Sequence, residues 1–235
     1  AKTKGVELHV VTETFTQANV DGGNNHRVMS RDDMHYLTNM LMGFGVSEVC
    51  YFTYYNRHYQ SPQFQEEGCM VQELYDSNKK LIGTQKTPVW YNVQAVSEEM
   101  SEFDEVILNF DYQACYMAKG TTKSANDPKG YNAAAYKYAD TFDSSTAAIG
   151  NLSSYSIDGE YSMLTWLLDS HNISMYMTEN CTDPQFKFLQ TTTMKFKSGI
   201  YAAIYENGAV RYVNLNSGEL KVKLSSGNAA FIIVF

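Results

Sequence analysis

The chain has 235 residues, 19% of them charged, and a formal net charge of −8. That length suits one large domain or two of ordinary size. The acidic balance excludes a nucleic-acid or anionic-membrane partner, because both require concentrated Lys and Arg.

In chain order, Glu7 to Phe15 (ELHVVTETF) is a β-branched run that reads as a parallel strand, with Glu13 near its C-terminal end. A polar, glycine-rich loop follows, Thr16 to Met29. Met34, Leu37, Leu41 and Phe44 then recur at spacings of three and four, one apolar stripe down a helix. Ser30 with Asp33 forms a capping box with Asp in place of the usual Glu, and Gly43 and Gly45 end the helix. Val46 to Tyr55 runs apolar and aromatic with almost no alternation, as expected of a strand covered on both faces. Together these make a β-α-β unit. The polar residues at the end of its second strand, Thr53, Tyr54, Tyr55, Asn56, Arg57 and His58, fall where parallel α/β sheets place ligands, on the same rim as Glu13.

Next comes a small hairpin turning at Asp76 to Lys79. Thr87-Pro88 starts a second amphipathic helix whose apolar positions are Val89, Val93, Val96, Met100, Phe103 and Ile107, with Glu98 and Glu99 on a solvated face. Near residue 109 the pattern changes. Phe110 to Met117 reads as a strand, and 120–148 as a polar surface excursion. Short strands follow at 173–178, 186–196, 200–205, 209–215, 219–224 and 229–235, with Asn207-Gly208 as a hairpin turn. Leu220, Val222 and Leu224 alternate with Glu219, Lys221 and Lys223, one buried and one wet face. The expected architecture is α/β plus all-β: an incomplete (β/α) barrel segment over 1–108, then an antiparallel β-sandwich over 109–235.

Eighteen tyrosines fit either carbohydrate surfaces or a β-rich core. The four cysteines, Cys50, Cys69, Cys115 and Cys181, show no disulfide framework and no metal-ligand spacing. Cys50, inside an apolar strand, is expected to be a buried thiol. His9, His26, His35 and His171 likewise lack metal spacing, and no cofactor is expected. Trp90 and Trp166 read as packing residues. No signal peptide is expected, and no apolar run nears the roughly 20 residues of a membrane helix. A cytoplasmic and a secreted location both stay open. The chain begins at Ala1 and enters an apolar strand within a few residues, so further sequence is expected upstream.

The order GFGVSEVCYFTYY, LYDSNKKLIGT, TPVWYNVQAVSEEM resembles the end of the catalytic barrel in clan A (β/α)8 retaining glycoside hydrolases of the β-galactosidase type. The closing stretch KFKSGIYAAIYENGAVRYVNLNSGELKVKLSSGNAAFIIVF is similar to the last strands of their trailing sandwich. The resemblance implies that Glu7 to Phe15 is the seventh barrel strand and Val46 to Tyr55 the eighth. It makes Glu13 the candidate nucleophile and Tyr54, Tyr55, Asn56 and His58 candidate sugar contacts. Retaining chemistry needs a second carboxyl roughly 5 Å away, which the resemblance places on a fourth strand absent from this sequence. A full barrel takes about 250 residues. The expected partners are therefore carbohydrate and either a missing barrel segment or a second copy, with little activity for the chain alone. The rivals are a non-catalytic carbohydrate-binding module and an assembly domain that pairs through open strand edges.

Overall fold

The computed structural model describes residues 7–14, 16–18, 27–52, 54–56, 65–67, 70–120, 140–141 and 149–235. Internal contacts divide the chain into two compact units, Ala1–Met34 with Val46–Glu98, and His35–Gly45 with Glu99–Phe235. This grouping draws residues 35–45 and 99–108 toward the sandwich, ahead of the change of pattern near 109.

The first unit holds β1 (His9–Glu13), β2 (Thr16–Ala18), β3 (Glu48–Phe52), β4 (Tyr55–Asn56), β5 (Gln65–Glu67), β6 (Val71–Tyr75) and β7 (Leu81–Lys86). β1 and β3 run parallel in the register His9↔Glu48 to Glu13↔Phe52. A helix, α1 (Arg31–Gly43), lies between them in sequence, which is the expected β-α-β order. Its start is built locally: the Asp33 N–H donates to Ser30 Oγ at 3.2 Å and the Ser30 N–H donates to Asp33 Oδ2 at 2.9 Å. Both bonds of a capping box are present. Burial works to raise the Asp33 carboxyl, but the Arg27 guanidinium and the Ser30 donors outweigh it and hold the carboxyl below its ordinary range.

β4 pairs parallel with β6, and β6 antiparallel with β7. The β6–β7 turn forms where the sequence places it, with Asp76 Oδ1 accepting the N–H of Asn78 and of Lys80 at 2.9 and 2.8 Å. α2 (Pro88–Ser101) follows, but the helix expected to continue through Ile107 breaks at Glu102 and Phe103 before a short α3 (Asp104–Ile107).

Two expectations for β1 and β3 are corrected. The strand read as Val46 to Tyr55 ends at Phe52, and Tyr55–Asn56 form a separate strand. Nor is the pair covered on both faces, since burial alternates along both strands. His9, Val11 and Glu13, with their partners Glu48, Cys50 and Phe52, form one open face, on which Val11 is 69% and Phe52 54% exposed. Among the described residues only two strands lie in this sheet, so the outer edge of each has no strand partner there. On the open face Cys50, expected buried, is exposed. Its hydrogen bond to Glu48 raises the thiol above its ordinary value, whereas burial pushes Cys115 up to about 12 and Cys181 well above its ordinary range. A maleimide at neutral pH is expected to modify Cys50 slowly and to spare Cys115 and Cys181 until the chain unfolds. Peptide mapping checks this, and labelling of Cys115 as fast as Cys50 would contradict the packing.

The second unit is layered. A seven-stranded sheet has the order β15-β14-β17-β12-β11-β8-β9, and a three-stranded sheet the order β10-β13-β16. The strands are β8 (Phe110–Lys119), β9 (Asp140–Thr141), β10 (Leu152–Ile157), β11 (Tyr161–Asp169), β12 (Ser174–Asn180), β13 (Gln190–Phe196), β14 (Tyr201–Glu206), β15 (Ala209–Asn214), β16 (Glu219–Leu224) and β17 (Ala229–Val234). β8 and β9 pair parallel, and the other pairings are antiparallel. Between the sheets Leu164, Tyr176 and Ile232 pack with Tyr155, Met194 and Val222. The opposite face of the larger sheet carries Met117, Met163, Met177 and Phe231, covered by Tyr36, Met40 and Phe44 from the α1 region and by Phe103. The α1 end is tied to this sheet by Thr165 Oγ1, which donates to the Gly43 carbonyl at 2.8 Å. Gly45 takes the left-handed conformation that a helix C-cap requires, at φ +73°, and a Cβ there would meet the Tyr112 ring at 2.7 Å.

The architecture is thus α/β plus antiparallel β. β16 alternates as its sequence predicts, with Leu220, Val222 and Leu224 buried. Asn207 and Gly208 both have positive φ, as the two-residue hairpin turn demands. The stretch read as a strand over 186–196 begins instead with a 3-10 turn, Pro184–Phe186, capped by Asp183, and only Gln190–Phe196 is strand. β10 and β11 have no counterpart in the sequence reading. Most of the expected 120–148 excursion, along with His26 and Cys69, lies outside the described residues.

Candidate functional site

Because β1 and β3 are parallel, their C-termini share one end, and the sequence fills that end with functional groups. Glu13 closes β1 opposite Phe52, which closes β3. The Thr14 N–H donates to the Phe52 carbonyl at 2.6 Å and locks the two ends together. Thr12 and Thr14 are buried while Glu13 between them is exposed, so strand alternation turns this carboxylate onto the open face.

Tyr54 lies two residues beyond β3. Its carbonyl accepts the Val71 N–H at 2.9 Å, which fixes the backbone against β6, and its side chain is 56% exposed. The Tyr54 ring meets Trp90 edge to face, centroids 5.7 Å apart at 68°. Lys86 Nζ sits 4.2 Å from the Trp90 ring centroid on its face, a cation–π contact. The Trp90 indole N–H is buried with no hydrogen-bond partner among the described residues. Thr87 positions this group: its N–H and hydroxyl both donate to the Met70 carbonyl, at 3.0 and 3.3 Å, which pins the start of α2 beside β6.

The structure therefore sets Glu13 and Tyr54 at one end of a parallel pair. Tyr55 and Asn56 continue from Tyr54 as β4, paired with Val71 and Gln72. His58, with Thr53 and Arg57, lies outside the described residues. Trp90, read from sequence as a packing residue, stands against Tyr54, and Lys86 was not singled out at all. The usable signal was their position between the end of β7 and the first turn of α2. Trp166 matches its reading as a packing residue: it is half-buried against the inter-sheet core and its indole N–H donates to Ser174 Oγ at 3.0 Å. An exposed carboxylate can accept hydrogen bonds from hydroxyls, and an accessible aromatic ring can stack on an apolar ring face. Among the described residues, no group of three or more His, Cys, Asp or Glu could hold a metal ion, and no helix is long and apolar enough to cross a membrane.

No protein-family model matches the chain, and no curated protein matches it. Among solved structures, the chain is similar to a GH30 endoxylanase from Clostridium papyrosolvens C71, with a TM-score of 0.41 and 11% identity over 99% of this chain and 43% of that one. The chain thus spans less than half the length of that protein, and a likeness of this degree assigns no residue a role.

Proposed function

We propose that the chain is the C-terminal part of a retaining glycoside hydrolase acting on β-glycosides or oligosaccharides, with barrel-derived βα units in 1–108 and a trailing sandwich in 109–235. The observation that carries the reading is the parallel β1–α1–β3 unit with Glu13 at its C-terminal end and Tyr54 beyond the same end, backed by Trp90. Carbohydrate chemistry needs a carboxylate at such a rim and an aromatic face beside it. In this reading Glu13 is the nucleophile, and Tyr54, Tyr55, Asn56 and His58 shape the sugar site.

Double displacement needs a second carboxyl about 5 Å from the nucleophile to protonate the leaving oxygen. The reading puts that group on barrel strands outside this sequence, so the isolated chain is expected to hydrolyse nothing at a useful rate. The open face with Val11 and Phe52 is where those strands would pack. The edges of the two-stranded β1–β3 sheet support a second reading, an assembly domain that pairs with another chain through its open strands.

The test uses the polypeptide isolated from its natural source, sized on a denaturing gel and assayed with aryl β-glycosides. Glu13→Gln in that protein is expected to lower kcat by about 10⁴-fold, and added azide is expected to rescue Glu13→Ala by taking the place of the missing carboxylate. A natural polypeptide of 26.6 kDa, or a Glu13→Gln protein with full activity, would overturn the proposal.

A further inference from the structure

The seven-stranded sheet ends at β15, which has β14 on one side and no strand on the other among the described residues. The ladder shows which of its backbone groups face outward. The Phe235 N–H donates to the Tyr201 carbonyl at 2.9 Å and the Tyr201 N–H to the Phe235 carbonyl at 3.3 Å, so the Tyr201 backbone is turned toward β17. Direction alternates along an antiparallel strand, which turns Ala202, Ile204 and Glu206 toward β15, opposite Val213, Arg211 and Ala209. The N–H and C=O groups of Val210, Tyr212 and Asn214 are therefore aimed away from the sheet.

Such an edge is commonly guarded by charge. β16, an edge of the three-stranded sheet, carries Glu219, Lys221 and Lys223, which oppose pairing with another chain. β15 has no lysine and no proline, and its one charge, Arg211, has Glu206 Oε2 of β14 at 3.4 Å. The strand is exposed along most of its length, with Val210 at 45% and Tyr212 at 69%.

A strand with these properties complements itself. Laid antiparallel on a second β15 about a two-fold axis at Tyr212, each outward donor meets an outward acceptor. Tyr212 pairs with its own copy, and Val210 with the partner's Asn214, both bonds being exchanged in each pair. The two Tyr212 rings become cross-strand neighbours and cover each other. Arg211 lies opposite the partner's Val213, and the two guanidiniums, diagonal across the axis, are each neutralised by their own Glu206.

We infer that β15 is a self-association edge, through which two copies of this chain join their seven-stranded sheets into one continuous antiparallel sheet. A contact confined to one strand pair belongs with interfaces below the roughly 1,200 Å² of stable complexes, so the expected Kd is on the order of 100 µM. The inference does not rest on the glycosidase reading and uses neither edge of the β1–β3 sheet.

Sedimentation equilibrium of the chain from roughly 10 to 500 µM is expected to show a monomer of 26.6 kDa giving way to a dimer. Tyr212→Lys sets two ammonium groups against each other across the axis and leaves every bond to β14 in place. It is expected to weaken the dimer by about tenfold or more, with an unchanged circular dichroism spectrum. Cross-linking in a Cys50→Ser background reads the register. Residues that exchange both bonds have Cα atoms about 5.5 Å apart, within the roughly 4.4–6.8 Å that a disulfide spans, so Tyr212→Cys is expected to give a linked dimer under mild oxidant. Asn214→Cys, whose copies lie at opposite ends of the paired strands, is expected to give none beyond the background. A chain that stays monomeric over the whole range would overturn the inference, as would cross-linking through Asn214→Cys as efficient as through Tyr212→Cys. A dimer unweakened by Tyr212→Lys would also overturn it, and would point to the β1–β3 edges instead.

Discussion

Glu179→Gln is expected to stabilise the chain by a margin that widens by about 1.4 kcal/mol for each pH unit above roughly 4.3. Glu179 sits in β12 between Met163 of β11 and Ala229 of β17, is 0% exposed, and neither carboxyl oxygen has a hydrogen-bond partner among the described residues. Removal from water therefore raises its pKa well above the ordinary glutamate value. In the unfolded chain the same group ionises in the ordinary range. Between the two values the native state binds more protons than the unfolded state, so unfolding free energy falls as pH rises. Below the unfolded value the penalty vanishes, since both states are protonated. Glutamine keeps the shape and cannot ionise. Urea unfolding of both proteins at pH 5, 6 and 7 reads the difference directly. Parallel pH profiles would mean that Glu179 is ionised in the native chain and compensated in a way that its burial does not allow.

Tyr176→Leu is expected to cost about 3–5 kcal/mol and Tyr176→Phe about 1–2 kcal/mol. Tyr176 belongs to the seven-stranded sheet and is fully buried. Its ring packs at 5.5 Å on Phe196 of the three-stranded sheet. Its hydroxyl accepts the Asn151 N–H at 2.7 Å, which ties the residue before β10 to β12. One side chain thus joins the two layers by both packing and a hydrogen bond. Leucine forfeits ring volume and leaves a cavity, while phenylalanine keeps the ring and forfeits the hydroxyl's bonds, stranding the Asn151 donor and freeing the Ile149 carbonyl. Denaturant midpoints at constant m-value separate the two effects. Equal losses for the two variants would assign the stabilisation to the hydrogen bond alone, and a Leu cost below about 1 kcal/mol would show that the site collapses without a cavity.

The corrections of burial at β1 and β3 have one cause. Val46 to Tyr55 has the composition of a strand buried on both faces, and Cys50 reads as buried with it, but burial depends on what packs against each face. In this chain the β1–β3 pair has one covered and one open face, so Cys50 and Phe52 are exposed and Glu13 points outward with them. Glu99 was expected on a solvated helix face because it follows Glu98, yet the two diverge: Glu98 is exposed and Glu99 is paired with His35. Adjacent helix positions point about 100° apart, and only the fold says which one faces protein. Trp90 was legible as an aromatic at a helix start, but its partner Tyr54 is far from it in sequence, and no periodicity links the two.

The amino-acid sequence by itself determined the features that close within a few residues. The Ser30–Asp33 capping box, the Asp76 turn, the left-handed Asn207-Gly208 hairpin and the alternation of β16 all rest on hydrogen bonds or φ preferences local to the chain. Tertiary structure alone decided the strand order of the seven-stranded sheet, the central place of β12, the burial of Glu179 and the meeting of His35, Glu99, Glu206 and Asn228 around one recess. Those depend on pairings across many residues, whose free energy comes from excluding water between distant segments. A carboxylate's sequence neighbours do not say whether water will reach it.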